Sequence, residues 1–278
     1  MPTFKLGLIG YPLGHSLSPK IHIAALKECG LEGEYSLYPI HPDDEQGLDA
    51  LLARVRSGEL TGLSVTIPHK QNVIKLMDEL TPVAGAVGAV NTIYMKNENL
   101  MGDNTDASGF LSDLNRFLGN QRAEIENRKS ALVLGAGGSA RAVVYALYND
   151  GWKITVAARR IGQAQHLVAK FDGVHPVDLN LQTLQSSTFN LLVNTTPLGM
   201  TPNVDHSPLP ENLSLPKHVA IYDLVYNPRQ TKLVSYALAR GNRATTGLGM
   251  LIEQAALAFE LWTGHSPPRD ILHTSVVE

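Results

Sequence analysis

A glycine-rich turn and three short polar clusters hold the residues in this chain that could do chemistry. Residues 131–142 read ALVLGAGGSARA: an apolar run breaks into Gly135-Ala136-Gly137-Gly138-Ser139-Ala140, and a helical pattern follows. Strand, glycine turn and helix in the form G-x-G-x-x-A are the parts of a dinucleotide-binding βαβ unit. Gly135 suits the tight turn, Gly137 lets the backbone approach a pyrophosphate, and Ala140 is small enough for close helix–strand packing. The first-turn N–H groups of the helix then point at phosphates, where the helix dipole favours negative charge. The next strand-like run, residues 152–158, ends at Arg159 and Arg160. An NAD site wants an acidic residue there, about 20 residues past the first glycine, to hold the ribose 2′-hydroxyl. Asp150 lies before that strand, in the helix-to-strand turn, and cannot serve. Two guanidiniums suit a 2′-phosphate, which they grip with charge-assisted, often bidentate bonds, so the cofactor expected is NADP.

The polar clusters lie in the first half of the chain: Ser16-Leu17-Ser18-Pro19, then Ser64-Val65-Thr66-Ile67-Pro68-His69-Lys70, then Gly88-Ala89-Val90-Asn91-Thr92 followed by Gly102-Asp103-Asn104-Thr105-Asp106. Each is placed at the C-terminal end of an apparent strand, where ligands bind in open α/β sheets. Position alone leaves other readings open. The serines could cap a helix, the lysine could be a solvated surface charge, and the Asn-Thr-Asp run could equally be a cap. His69 adjoins Lys70, and neighbours on an extended segment point to opposite faces, so it is read as a wall or surface residue. The ten histidines show no HExxH or comparable ligand spacing, and no metal is expected.

Alternating strands and helices must position these residues. Strands are expected over residues 4–10, 34–40, 62–67 and 89–94, the last turned by Asn97-Glu98-Asn99. Helices are expected over 19–29, 43–57 (stopped by Gly58), 72–80 (stopped by Thr81-Pro82) and 106–118, with 101–105 as a polar connector. A charged stretch, 121–129, precedes the glycine turn. Beyond it, strands are expected over 189–193 and 219–224, and helices over 232–240 and 250–262. This alternation implies α/β units with a largely parallel sheet. At 278 residues the chain is long enough for two domains, with a substrate expected in the cleft between them, facing the cofactor. Hydrophobic content of 44% and charged content of 18% are typical of globular proteins. A net charge of −3 gives no electrostatic case for nucleic acid or an anionic membrane. The single cysteine, Cys29, excludes an internal disulfide, fits a reducing compartment and is read as a small core residue. No signal-peptide layout and no window of ~18 apolar residues is seen, so a cytoplasmic enzyme is expected.

The clusters, taken with NTTPLGM at 194–200, DLVYNP at 223–228 and GLGMLIEQAA at 247–256, make the chain resemble the shikimate dehydrogenase family nearly end to end. The resemblance implies an α/β protein of two domains. Residues 1–105 would form an N-terminal α/β substrate domain and 106–246 a Rossmann-like NADP-binding domain, with helices of 247–278 returning to the first. It implies the reversible NADPH-linked reduction of 3-dehydroshikimate to shikimate in aromatic amino-acid biosynthesis. Lys70 falls on the family's catalytic lysine and Asp106 on its partner aspartate. Ser16 and Ser18, helped by Tyr226, fall on the groups that hold the substrate carboxylate; Thr66, Asn91, Asp106 and Gln254 line the ring and its hydroxyls. Gly135, Ala136, Gly137, Gly138 and Ser139 match cofactor positions, as do Ala158, Arg159, Arg160 and Thr195, with Leu224, Gly247 and Met250 near the nicotinamide. Ser64 stands where the family usually has asparagine, and Ala158-Arg159-Arg160 replaces its commoner Asn-Arg-Thr. The partner implied is a small molecule, with no nucleic acid or membrane, and the protein a monomer or homodimer. The alternatives are a dehydrogenase using both quinate and shikimate, and a non-catalytic regulator that binds NADP or a metabolite.

Overall fold

The computed structural model describes residues 3–119, 129–180, 189–210, 213, 215–216 and 218–277. The charged stretch expected before the glycine turn lies outside these, except for Lys129. The chain divides into two compact units: Met1–Gly109 with Leu251–Glu278, and Phe110–Met250.

The first unit opens with β1 (Phe4–Gly10), α1 (Ser18–Glu28), β2 (Gly33–Pro39), α2 (Glu45–Arg56) and β3 (Gly62–Val65). β1 pairs in parallel with both β2 and β3. Leu6, Leu8 and Ile9 are all buried, the run expected of a strand covered on both faces. α2 starts at Asp44, whose carboxylate accepts from Gly47 N at 2.9 Å. It buries Leu48, Leu51, Leu52 and Val55, the i, i+3, i+4, i+7 stripe of a helix on a core, each side chain contributing roughly 1.5–3 kcal/mol. These meet Ile9, Leu63, Val73 and Ile93 in one cluster. Gly62 is needed because a Cβ there would stand 2.2 Å from the ring of Trp262, whose indole N–H donates to Ile93 O at 3.2 Å.

Beyond β3 the structure departs from the periodicity. Residues 72–80 do not form one helix: a 3-10 turn (Asn72–Leu76) gives way to β4 (Glu79–Leu80), and Pro82 begins α3 (Pro82–Val87) rather than stopping a helix. The reason is a sheet edge. Asp78 N donates to Leu100 O, and the Asp78 carboxylate accepts from Leu100 N, so the chain is drawn out beside residues 99–103. The stretch read as a polar connector, 101–105, belongs mostly to β6 (Asn99–Asp103), which returns against β5 (Thr92–Lys96). Asn97 and Glu98 both have positive φ, 50° and 67°, the two-residue turn whose twist matches a hairpin. The sheet order is β2-β1-β3-β5-β6-β4, with β5 antiparallel to its neighbours, so this sheet is mixed. α4 (Asp106–Leu118) and α8 (Leu248–Thr263) each carry residues of both units, and α9 (Arg269–Val277) packs on α1. Cys29 is not a core residue: it caps the C-terminus of α1, half-buried.

The second unit contains β7 (Ser130–Leu134), α5 (Gly138–Asn149), β8 (Lys153–Ala158), α6 (Ile161–Val168), β9 (His175–Asp178), β10 (Leu191–Asn194), β11 (Ala220–Asp223), α7 (Lys232–Ala239) and β12 (Ala244–Thr246). Its sheet runs β12-β11-β10-β7-β8-β9, every pair parallel. The order reverses direction between β7 and β10, the topological switch point at which doubly wound sheets bind dinucleotides. Asp150 pairs with Lys129 at 3.2 Å and accepts from the Trp152 indole, occupied well before the end of β8. Among the described residues no helix is long and apolar enough to cross a membrane.

Candidate active site

In the first unit two of the three polar clusters, the one holding Lys70 and the one holding Asn91 and Asp106, converge on one edge of the mixed sheet. β3 ends at Val65, two residues earlier than expected, because the backbone passes into a turn: Thr66 N donates to Ile9 O, and His69 N to Thr66 O. His69 is therefore neither on an extended segment nor at the surface. It is 1% exposed, with Nε2 2.8 Å from Ile40 O, pinning the turn to the end of β2. Lys70 closes the turn, its carbonyl accepting from Val90 N. Asn91 does not lie at a strand's C-terminal end: it immediately precedes β5. Because β5 runs antiparallel to β3, its start reaches the edge at which β3 and β6 finish.

There the side chains form a continuous network. Lys70 Nζ donates to Asp106 Oδ2 at 2.5 Å. Asp106 is the first residue of α4, where the helix dipole favours a carboxylate. Asn91 Nδ2 donates to Asp106 Oδ1 and to Thr105 Oγ1, both at 2.9 Å, and Asn91 Oδ1 accepts from Thr105 N at 2.8 Å. Thr105 Oγ1 reaches Gln254 O at 3.0 Å, and Gln254 Oε1 lies 3.3 Å from Asn91 Nδ2. Gly109 lets α8 approach, since a Cβ there would meet Gln254 N at 2.8 Å. Asp106 and Asn91 are almost fully buried, while the Lys70 side chain keeps 12% exposure. An ammonium has three donors, so Lys70 held by Asp106 still has donors for a ligand oxygen. Thr66 lies on the same turn as Lys70. Ser64 is buried in β3. Ser18 is the buried first residue of α1, and its N–H donates to Ser16 Oγ at 3.2 Å. The N-cap is Leu17, with no side-chain capping bond, so neither serine is in the N-cap position.

In the second unit the glycine turn follows β7 at the switch point. Gly135 has φ +108°, and a Cβ on it would stand 2.6 Å from Thr195 Oγ1; both demand glycine. Thr195, after β10, is itself held by N and Oγ1 on Leu134 O. Gly137, the extended N-cap of α5, is exposed, and a Cβ there would meet nothing within 4 Å. No side chain caps α5, so its first-turn N–H groups, with Ala136, Gly138 and Ser139 around them, are placed to receive a phosphate. Ala158 ends β8, and Arg159 and Arg160 follow it into solvent. These residues fit a 2′-phosphorylated dinucleotide. Leu224 follows β11, Gly247 packs on it (a Cβ would be 2.3 Å from Leu224 O), and Met250 is buried in α8. Burial pushes the Tyr226 phenol up.

Thr105, Asn194 and Asp223 were missed among the single residues. Each lies inside a legible motif, GDNTD, NTTPLGM or DLVYNP, but nothing in a motif says which member bridges to a distant strand. Asn194 Nδ2 donates to Asp223 Oδ1 at 2.8 Å, and burial pushes the Asp223 carboxyl up to about 6.

Three family models match: a shikimate dehydrogenase substrate binding domain over residues 8–93, shikimate / quinate 5-dehydrogenase over 118–196, and a shikimate 5′-dehydrogenase C-terminal domain over 247–276. The shikimate dehydrogenase (NADP(+)) of Shouchella clausii (strain KSM-K16) is 38% identical over 276 residues, covering 99% of this chain and 98% of its own. That of Bacillus licheniformis is 40% identical, covering 98% and 96%. The structure of shikimate 5-dehydrogenase from Thermus thermophilus, in complex with NADP(H) and shikimate, superposes with a TM-score of 0.84 at 37% identity, covering 98% of each chain.

Proposed function

The chain belongs to the shikimate dehydrogenase family, and from that premise we propose that Lys70 and Asp106 handle the proton in a reversible, NADPH-linked reduction of 3-dehydroshikimate to shikimate, a step of aromatic amino-acid biosynthesis. The observation that carries the assignment is the Lys70 Nζ–Asp106 Oδ2 contact of 2.5 Å inside the Asn91–Thr105–Gln254 network. In the reducing direction the Lys70 ammonium gives a proton to the ketone oxygen as charge develops there; in the oxidising direction Nζ receives it from the hydroxyl. Asp106 orients the ammonium and takes a ring hydroxyl as donor, and Asn91 keeps Asp106 in place. NADP, when bound, supplies the hydride chemistry, and the protein supplies position and a proton path. Gly135–Ser139 would hold its pyrophosphate and Ala158, Arg159 and Arg160 its 2′-phosphate end, with Thr195, Leu224, Gly247 and Met250 about the rest.

The carboxylate-binding roles of Ser16, Ser18 and Tyr226, and the ring-lining roles of Thr66, Asn91 and Gln254, are part of the same proposal. So are a substrate domain of 1–105, an NADP domain of 106–246 and a returning segment of 247–278. The enzyme would work in the cytoplasm as a monomer or homodimer, without nucleic acid. The test is NADPH formation followed at 340 nm, comparing shikimate and quinate with NADP and NAD. The highest kcat/KM is expected for shikimate with NADP; a strong preference for quinate with NAD would refute the reading.

A further inference from the structure

Asp223 is fully buried, and among the described residues no cation pairs with it. A carboxylate in that position costs stability, which is why burial raises its pKa. What it does instead is accept from three directions: Asn194 Nδ2 at 2.8 Å, Val225 N at 3.1 Å and Thr231 Oγ1 at 2.6 Å. Asn194 ends β10, Asp223 ends β11, and Thr231 is the N-cap of α7, its Oγ1 also accepting from Val234 N. One carboxylate therefore joins two strand ends to a helix start. The segment it encloses, residues 224–230, includes Leu224 and Tyr226 and is braced again by Leu224 N on Asn194 O at 2.9 Å and by Thr201 N on Asn227 O at 3.0 Å.

We propose that Asp223 is a positioning residue for the reaction, holding Leu224 and Tyr226 where cofactor and substrate need them while touching neither itself. This rests on the function proposed above. Displacements of about 1 Å at positioning groups cost ~100-fold in rate, so a buried carboxylate spent on one segment has a kinetic role to match.

The experiment compares Asp223→Ala, Asp223→Asn and Thr231→Val in the full-length enzyme, assayed at a temperature where each remains folded by circular dichroism. Asp223→Ala is expected to lower kcat/KM for shikimate ~100-fold. Its affinity for 2′,5′-ADP, a probe of Arg159 and Arg160 alone, should stay within about 2-fold of wild type. Asp223→Asn keeps an oxygen for Asn194 and Val225 and an N–H for Thr231, and is expected to restore kcat to within about 3-fold. Should Asp223→Ala not fold, Thr231→Val, which removes one of the donors, is expected to lower kcat/KM ~10-fold with 2′,5′-ADP binding intact. Wild-type kcat/KM in both Asp223→Ala and Thr231→Val, or equal loss in Asp223→Ala and Asp223→Asn, would overturn the proposal. So would a fall in 2′,5′-ADP binding parallel to the fall in rate, since that marks general damage. A wild-type enzyme that forms no NADPH from shikimate would instead remove the function on which the proposal rests.

Discussion

A lysine becomes a proton donor by what surrounds it. Lys70 has a carboxylate at 2.5 Å that aims it, and that carboxylate is in turn held by Asn91. Lys70→Ala is expected to lower kcat by ~10³-fold with shikimate KM changed only a few-fold, because the interaction lost is made in the transition state. Steady-state kinetics decide it, and a kcat within tenfold of wild type would exclude the role. Arg159 is exposed, so its removal should leave the fold intact. Arg159→Ala should weaken NADP binding ~10–100-fold, the value of a charge-assisted contact, and leave NAD binding unchanged. Unchanged NADP affinity would refute the 2′-phosphate assignment. His22 is the opposite case, a buried polar group that takes no part in that hydrogen-bond network. It is buried in α1, stacked on Tyr35 at 4.3 Å, with neither ring nitrogen hydrogen-bonded, and burial lowers its pKa to about 3. Between pH 6.5 and 3 the unfolded chain takes up a proton there that the folded one refuses. Stability contributed by this residue is therefore full above pH 6.5 and declines as pH falls, by ~1.4 kcal/mol per unit. Urea unfolding between pH 7 and 4 should show a shallower acid decline in His22→Leu than in wild type.

At the scale of elements, the glycine turn was legible because everything it needs is local. Strand, turn and helix follow one another within Ser130–Asn149, and β7 and α5 fall where the pattern places them. What the turn touches was not legible: Gly135 also has to clear Thr195, which comes from another strand. Gly135→Ala combines an unfavourable φ with that clash, and should cost roughly 1–3 kcal/mol of stability together with most NADPH binding. Fluorescence titration with NADPH and a thermal melt measure the two, and unaltered NADPH affinity would show that the turn is not at the phosphates. The helix expected over 72–80 failed for a related reason. Its periodicity was compatible with a helix, but Asp78 and Leu100 exchange hydrogen bonds across a sheet edge, and tertiary pairing overrides propensity in so short a stretch. β6 was missed because its polar ends, Asn99 and Asp103, masked buried Leu100 and Met101.

For the molecule as a whole, the far end of the chain completes the unit that its beginning starts. Trp262 fills the space left by Gly62 and bonds Ile93 O, while Gln254 reaches Thr105 and Asn91. A chain ending at residue 250 should lose shikimate turnover and cooperative unfolding of the first unit, yet still bind 2′,5′-ADP through Arg159 and Arg160. The shortened chain lacks Trp262, the tryptophan of the first unit, so the loss is read by hydrogen exchange, in which the amides of β1 and β3 should exchange far faster than in the full chain. Wild-type activity in the shortened chain would refute the dependence. Residue types and short-range spacing, by themselves, determined the glycine turn, the pair of arginines that follows β8 and the motifs that reveal the family. These are properties of contiguous segments, carried by periodicity and by the few residues a tight turn tolerates. Only the tertiary structure decided that Lys70, Asn91, Thr105, Asp106 and Gln254 share one network, and that Asp223 gathers two strands and a helix. A side-chain hydrogen bond needs its partner within about 3 Å and aimed correctly. Which distant residue meets that condition depends on strand direction, such as the antiparallel run of β5, and on a helix returning from the other end of the chain.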